Sequence, residues 1–335
     1  VNLETQSDPG AFAALRPEWN ALLESSPTNT VFLTWEWQSA WWEAYHPGEL
    51  FIVTVRDESG TLVGIAPWFI DTTNPDERVL RGIGCVDVTD YVDVIAHADH
   101  FSEVLSAFAT AAAQAPADRI NLCNLREHSP ALAGLQAAFE QAGLVTETVQ
   151  QEVCPVITLS GRFEEYFENL DKKQRHELRR KFRLGVGTEG LAWHVVGAED
   201  DLNAALDDFT ALMAESTAEK AEFLQNPQHA AFFRAVMPLM QQLGVLQLAF
   251  LTYNRKPVAA YLNFVYRNRI MVYNSGLSLT SGSLSPGIVL LLYLIQDAVS
   301  KGITKFDFLR GDEEYKYRMG GVDEPIFMLK AHKAT

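Results

Sequence analysis

The chain has 335 residues, 47% hydrophobic and 21% charged, an ordinary globular composition over more length than one core usually fills, so two domains are expected. With 43 acidic residues against 27 basic ones the formal net charge is -16, which argues against a general binder of nucleic acid or anionic membrane and leaves room for a local basic patch. Cys85, Cys123 and Cys154 lie far apart, the histidines are scattered, and VNLETQSDPG shows no leader pattern, so the expectation is a cytoplasmic protein with reduced thiols, no metal and no membrane span.

Phe12, Leu15, Trp19, Leu22 and Leu23 recur at helical spacing. The next stretch, TVFLTWEWQSAWWEAY, holds Trp35, Trp37, Trp41 and Trp42 behind Thr34, a natural N-cap. These tryptophans read as core or interface packing rather than as a ligand platform. Residues 51–55 and 62–70 are strand-like around the turn Asp57-Glu58-Ser59-Gly60. In GIGCVDVTDYVDVI, Asp87, Asp90 and Asp93 lie among strand-type residues and either line a cleft or face solvent. An Ala-rich helix over 101–115, a strand over 119–125, a helix over 130–142 stopped by Gly143 and a strand over 153–159 complete the first half.

Residues 163–184 read as a long helix carrying KKQRHELRRKFR. Its Lys172, Lys173, Arg175, Arg179, Arg180, Lys181 and Arg183 concentrate positive charge in an acidic chain, either as a solvated face or as a clamp for a phosphate-bearing ligand. A strand over 191–196 follows, then helices over 201–215 and 232–243, the second broken or kinked at Pro238. Strands over 246–251, 257–266 and 270–275 come next, the first two joined by Tyr253-Asn254-Arg255-Lys256.

The stretch SGSLSPGIVLLLYLIQDAVSKGITKFDFLRGDEEYKYR then combines a Gly/Ser/Pro loop, a helix apolar almost all round over 288–299, and a short strand ending in charged and phenolic residues. Ser285 is placed as N-cap, Pro286 as first helical residue and Gly302 as stop. A loop feeding a helix N-terminus is a ready anion site. A last strand covers 326–330.

FIVTVRDESGTLVGIAPWFI and LAFLTYNRKPVAAYLNFVY match in pattern and turn placement, and each is followed by an apolar helix and a short strand. Two copies of one mixed α/β unit are expected, a degenerate one over 1–160 and a second over 161–335 with the basic helix and the Ser-Pro-Gly loop.

Ser285-Pro286-Gly287, Gly302, Asp307-Phe308, Gly311-Asp312 and Tyr315-Lys316 resemble the signature of the FemAB-like branch of the GNAT acyltransferase superfamily, which includes cellulose-biosynthesis-type acetyltransferases. The resemblance spans most of the chain and implies an α/β fold of tandem GNAT-like mixed sheets flanked by helices. It also implies transfer of an acyl group, with acetyl the expected one, from acyl-CoA to an amine or hydroxyl of a small-molecule or saccharide acceptor. The donor would be held at Gly282, Ser285, Gly287, Ile288 and Arg310, with Asp307 as base, Tyr315 as general acid and Lys316 stabilising charge. Asp90, Tyr91 and Asp93 of the first copy would touch the acceptor. The usual Arg/Gln-x-x-Gly-x-Gly/Ala phosphate pattern is absent and Pro286 removes one N–H donor, which puts coenzyme A in question as the donor. Two other readings stand beside it: a FemX-like transferase using aminoacyl-tRNA, and a non-catalytic binding protein that kept the fold.

Overall fold

The computed structural model describes residues 1–85, 88–279 and 284–334. The chain forms two compact units, Val1–Glu152 with Glu324–Thr335, and Val153–Asp323. The expected split at 160/161 assigned the C-terminal segment to the second unit; it belongs to the first because its strand pairs there.

Unit 1 contains β1 (Asn2–Gln6), α1 (Gly10–Glu24), α2 (Trp35–Tyr45), β2 (Gly48–Arg56), β3 (Leu62–Asp71), β4 (Val79–Gly82), β5 (Ile95–Ala96), α3 (Phe101–Gln114), β6 (Arg119–Arg126) and α4 (Pro130–Gln141). Strands β1 to β4 pair antiparallel in sequence order, and β6 lies parallel to β4. Thr34 caps α2 by accepting from the Trp37 N–H, as its sequence position suggests. Trp37 and Trp41 are fully buried, and the Trp37 indole donates to Thr89 Oγ1 at 3.0 Å, so this tryptophan cluster is core.

The parallel register Arg81↔Asn121 places the ends of β4 and β6 side by side, and Cys85 and Cys123 just beyond it are joined by a disulfide with a Cα–Cα distance of 5.9 Å. The expectation of reduced thiols therefore fails for this pair. Sequence spacing did not reveal that their strands are neighbours. The cytoplasmic assignment loses the support it drew from those thiols. Cys154 is free and buried.

Strand β7 (Leu144–Thr158) leads into unit 2, which holds α5 (Phe163–Glu168), α6 (Lys172–Gly187), β8 (Leu191–Val195), α7 (Leu202–Ser216), α8 (Ala218–Gln225), α9 (Pro227–Gln242), β9 (Leu246–Tyr253), β10 (Lys256–Tyr266), β11 (Arg269–Leu277), α10 (Pro286–Ser300), β12 (Lys305–Asp307) and α11 (Glu314–Arg318). Its strands run in the order β8-β9-β10-β11-β12, with the end of β7 antiparallel to β12. Strand β12 is parallel to β11; the other pairs are antiparallel. Pro238 lies inside α9 without ending it. Helix α10 buries Val289 to Leu292, Leu294 and Ile295 against the sheet and α5–α6, as its all-round apolar sequence requires. Strand β13 (Val322–Lys333) returns to pair antiparallel with β6 in unit 1. Each unit thus follows an antiparallel β-β-β run with a helix and a strand parallel to the third.

Candidate functional site

Strands β11 and β12 pair over three positions only, Arg269↔Lys305, Ile270↔Phe306 and Met271↔Asp307. There β12 stops, while β11 continues along β10 to Leu277. Past Met271 the two strands are no longer paired.

Two buried charged residues follow from this strand end. Asp307, fully buried, accepts from Arg269 Nη1 at 2.7 Å and from the Leu309 N–H at 2.8 Å. These contacts hold the strand end and the left-handed Leu309 (φ 56), a structural task for the Asp307 carboxylate. Lys316, 2% exposed, donates to the carbonyls of Arg310 (2.6 Å), Gly311 (3.1 Å) and Leu309 (3.3 Å) and pairs with Glu313 at 2.8 Å. An ammonium clamped this way holds the 309–313 turn and is not directed at a reacting group. Arg310 contributes its carbonyl to this clamp.

Helix α10 begins against β11. Ser285 departs from its expected role: it sits in the left-handed region at φ 48, ψ 54, and its side chain caps no N–H. The first intrahelical bond runs from the Val289 N–H to the Ser285 carbonyl, so the N–H groups of Gly287 and Ile288 precede the ladder, while Pro286 has none. A Cβ on Gly287 would sit 2.8 Å from Leu277 Cδ2 and 3.5 Å from the Tyr261 hydroxyl, so glycine lets the helix terminus close onto β10 and β11. Gly282 lies outside the described residues.

Two phenols stand at this junction. Burial, reinforced by Glu313, pushes the Tyr315 hydroxyl well above its ordinary pKa, and burial with the Tyr315 interaction does the same to Tyr261. Both keep their protons. Tyr315 packs edge-on to Phe308. Tyr317 turns away to bond Asp323 at 2.9 Å.

Lys220 on α8 completes the cluster and was not among the residues the sequence suggested. Its ammonium donates to the Ser275 carbonyl at 2.6 Å and to Ser275 Oγ at 3.0 Å. Burial lowers its pKa to about 8, against a smaller upward pull from Glu313. Helix α8 buries none of its residues fully, so it lacks the periodicity that would have marked it, and Lys220 there looks like any surface lysine.

Residues 172–317 match the family model of the acetyltransferase (GNAT) domain, which covers this junction. Over these residues unit 2 is similar to a GNAT acetyltransferase domain. Among solved structures it is similar to FemX, with 11% identity, a TM-score of 0.67 and coverage of 98% of this chain and 97% of that one. It is also similar to L-PGS from Bacillus licheniformis, with 14% identity, a TM-score of 0.57 and coverage of 98% and 92%. A tandem GNAT protein from the clavulanic acid biosynthesis pathway aligns at 11% identity with a TM-score of 0.52, covering 100% and 99%. At such identities the likeness is one of fold. The curated proteins contain no match.

The acceptor contacts expected from unit 1 are buried within that unit. Asp90 is 8%, Tyr91 3% and Asp93 5% exposed. Asp93 accepts from Ser129 Oγ at 2.5 Å and from the Val94 N–H at 2.9 Å, which ties its loop to the N-terminus of α4. Burial raises its pKa to about 6 despite Ser129 and Arg126. Asp87, named with them, lies outside the described residues.

The basic stretch of unit 2 is helix α6, capped by Asp171, which accepts from the N–H groups of Lys173 and Gln174. Between α5 and α6 lies a cleft of about 1030 Å³ lined by Lys172, Lys173, Arg175, His176, Arg179 and Arg183, with Phe167 and Phe182 as its apolar floor. Arg179 lies 5.3 Å above the Phe167 ring and pairs with Glu164 at 2.8 Å. Among the described residues no His, Cys, Asp or Glu cluster is placed to hold a metal ion, and no helix is long and apolar enough to cross a membrane.

Proposed function

We propose that unit 2 transfers an acyl group from an acyl-CoA to an amine or hydroxyl of a small-molecule or saccharide acceptor, with the reaction centred where the pairing of β11 and β12 ends. The observation that carries this reading is the packing of the α10 N-terminus against Leu277 and Tyr261, whose phenol interacts with that of Tyr315, both keeping their protons. The N–H groups of Gly287 and Ile288, which precede the helix ladder and which the Ser285 side chain does not cap, suit a phosphate of the donor together with the helix dipole. Tyr315 and Tyr261 are suited to hydrogen-bond the oxyanion that develops as the acceptor attacks the thioester carbonyl. The strand edge itself offers less: the Ser275 carbonyl is held by Lys220 and the Leu277 N–H by Ser216 Oγ at 2.6 Å, so an extended donor arm must displace these contacts or lie beside them. The test is thermal denaturation of the whole protein with acetyl-CoA and longer acyl-CoAs. A raised melting temperature supports the reading, and no shift with any acyl-CoA rejects it.

A second reading, a FemX-like transferase drawing on aminoacyl-tRNA, is favoured by the α5–α6 cleft, where the cations suit phosphates. Retention of tRNA on filters at low salt, falling steeply as salt rises, supports it; retention that is absent or indifferent to salt rejects it.

A further inference from the structure

Ser275 and Tyr261 are direct partners on antiparallel strands, so their side chains share one face of the sheet. Leu277, two residues on, shares that face and packs against Gly287. This is therefore the face on which α10 begins. Gly276 points the other way, where an added Cβ would meet Leu212 Cβ at 2.6 Å and Met213 N at 2.7 Å, so α7 lies against the opposite face. Lys220, on the helix that follows α7, reaches round the strand edge to Ser275 Oγ. It can do so because β12 does not pair with that edge past Met271. A simple edge cap would need only the Ser275 carbonyl; bonding the hydroxyl as well brings the ammonium to a side chain on the face that Tyr261 and Leu277 share.

We propose that Lys220 is the proton carrier of the transfer reaction, taking a proton from the acceptor nitrogen and delivering it to the departing thiolate. This rests on the acyl-CoA reading above. As the new N–C bond forms, the neutral Lys220 amine accepts the proton released by the acceptor nitrogen. As the C–S bond breaks, the sulfur takes the electron pair and then that proton, which leaves amide, free thiol and neutral Lys220. Tyr315 and Tyr261 hold their protons too firmly for this shuttle and serve the oxyanion instead. Asp307 and Lys316 are committed to the turn. A carrier that gives and takes at neutral pH needs a pKa near the working pH, and burial gives Lys220 one of about 8. Helix α8 itself carries Glu219 and Glu222. Helix α7 brings Asp207, Asp208 and Glu215 to the elements packed on α8, and α9 brings His229 and Arg234. The charge that acts on Lys220 is Glu313.

The experiment has two arms on the whole protein. In the first, the Lys220 amine is reductively methylated at a series of pH values, with and without coenzyme A, and followed by peptide mass spectrometry. Half-maximal reactivity near pH 8 and protection by coenzyme A are expected. An ordinary lysine titration near about 10.4 overturns the proposal, as does undiminished reactivity when coenzyme A demonstrably raises the melting temperature. In the second, thiol release from acetyl-CoA is measured with hydroxylamine, an acceptor already neutral in this range. Lys220→Arg should melt like wild type and still bind acetyl-CoA, yet release thiol about 100-fold more slowly and lose the limb of kcat/KM near pH 8. Lys220→Ala should be partly rescued by added methylamine. An Arg variant active within about threefold of wild type, or an Ala variant indifferent to methylamine while wild type turns over, overturns the assignment of Lys220 alone. A wild-type protein that neither binds nor cleaves acetyl-CoA overturns the donor reading and this proposal with it.

Discussion

Arg269 Nη1, at the first paired position of β11, meets Asp307 Oδ2, at the last paired position of β12, at 2.7 Å, so one ion pair spans the short parallel pairing of the two strands. Arg269 is 20% and Asp307 0% exposed on their side chains, so neither charge can be left alone cheaply. Asp307→Asn should destabilise the protein by about 3 kcal/mol, because it strands a half-buried guanidinium. The double variant Arg269→Met with Asp307→Leu should recover much of that loss. Urea unfolding of the two single variants and the double one decides the matter; strictly additive losses would show that the pair does not act as a unit.

Lys316 makes a related case. Lys316→Met keeps the length of the side chain and removes its hydrogen bonds to Leu309, Arg310 and Gly311. A loss of about 2–4 kcal/mol is expected, since buried carbonyls are left unsatisfied. Amide exchange should speed up at Gly311, whose N–H bonds the Val153 carbonyl at 3.1 Å, well before it does in β10. Unchanged exchange at that turn would remove the clamp from the account.

Tyr315→Phe separates chemistry from packing. The ring stays edge-on to Phe308, so stability should change by less than about 1 kcal/mol. Transfer should fall by about 10²–10³ in kcat if the phenol hydrogen-bonds the oxyanion. Tyr317→Phe, which removes only the bond to Asp323, should leave kcat near wild type. A loss confined to Tyr317→Phe would move the donor to Tyr317, and equal losses would deny Tyr315 a specific part.

These sites differ in how far the sequence disclosed them, and the reasons are physical. Helix α10 was legible because its burial on nearly all sides demands an apolar run, and that run is too long for a strand. The Thr34 cap was legible because an N-cap is a contact between near neighbours in sequence. Ser285 has the same residue type in the same position, but its backbone stands at φ 48, ψ 54 and its side chain caps no N–H. Asp307, Tyr315 and Lys316 were found as residue types, while the tasks of the two charged ones depend on Arg269 and on three carbonyls that only the folded turn brings together. Cys85 with Cys123, and Lys220 with Ser275, are tertiary pairings that no spacing encodes.

In unit 1 the buried carboxyl of Asp93 makes stability depend on pH in the direction opposite to that of a salt-bridged acid. Its pKa rises from 3.8 to about 6 on folding, because burial outweighs the hydrogen bonds from Ser129 and Val94 and the charge of Arg126. Below about pH 4 the group is protonated in both states and carries no penalty. Between about pH 4 and 6 the unfolded chain has released its proton while the folded one retains it, so stability falls as pH rises, and above about 6 the penalty is constant. The group should therefore cost on the order of 3 kcal/mol at pH 7 relative to pH 4. Asp93→Asn keeps an acceptor for the Val94 N–H and a polar partner for Ser129, and it should flatten this slope. The measurement is urea unfolding at several pH values between 4 and 7, read by tryptophan fluorescence. That signal reports chiefly on unit 1, which holds Trp19, Trp35, Trp37, Trp41, Trp42 and Trp68. A wild-type stability that climbs relative to Asp93→Asn between pH 4 and 6 would mean that Arg126 and Ser129 outweigh burial, and that the carboxylate is held in its charged form.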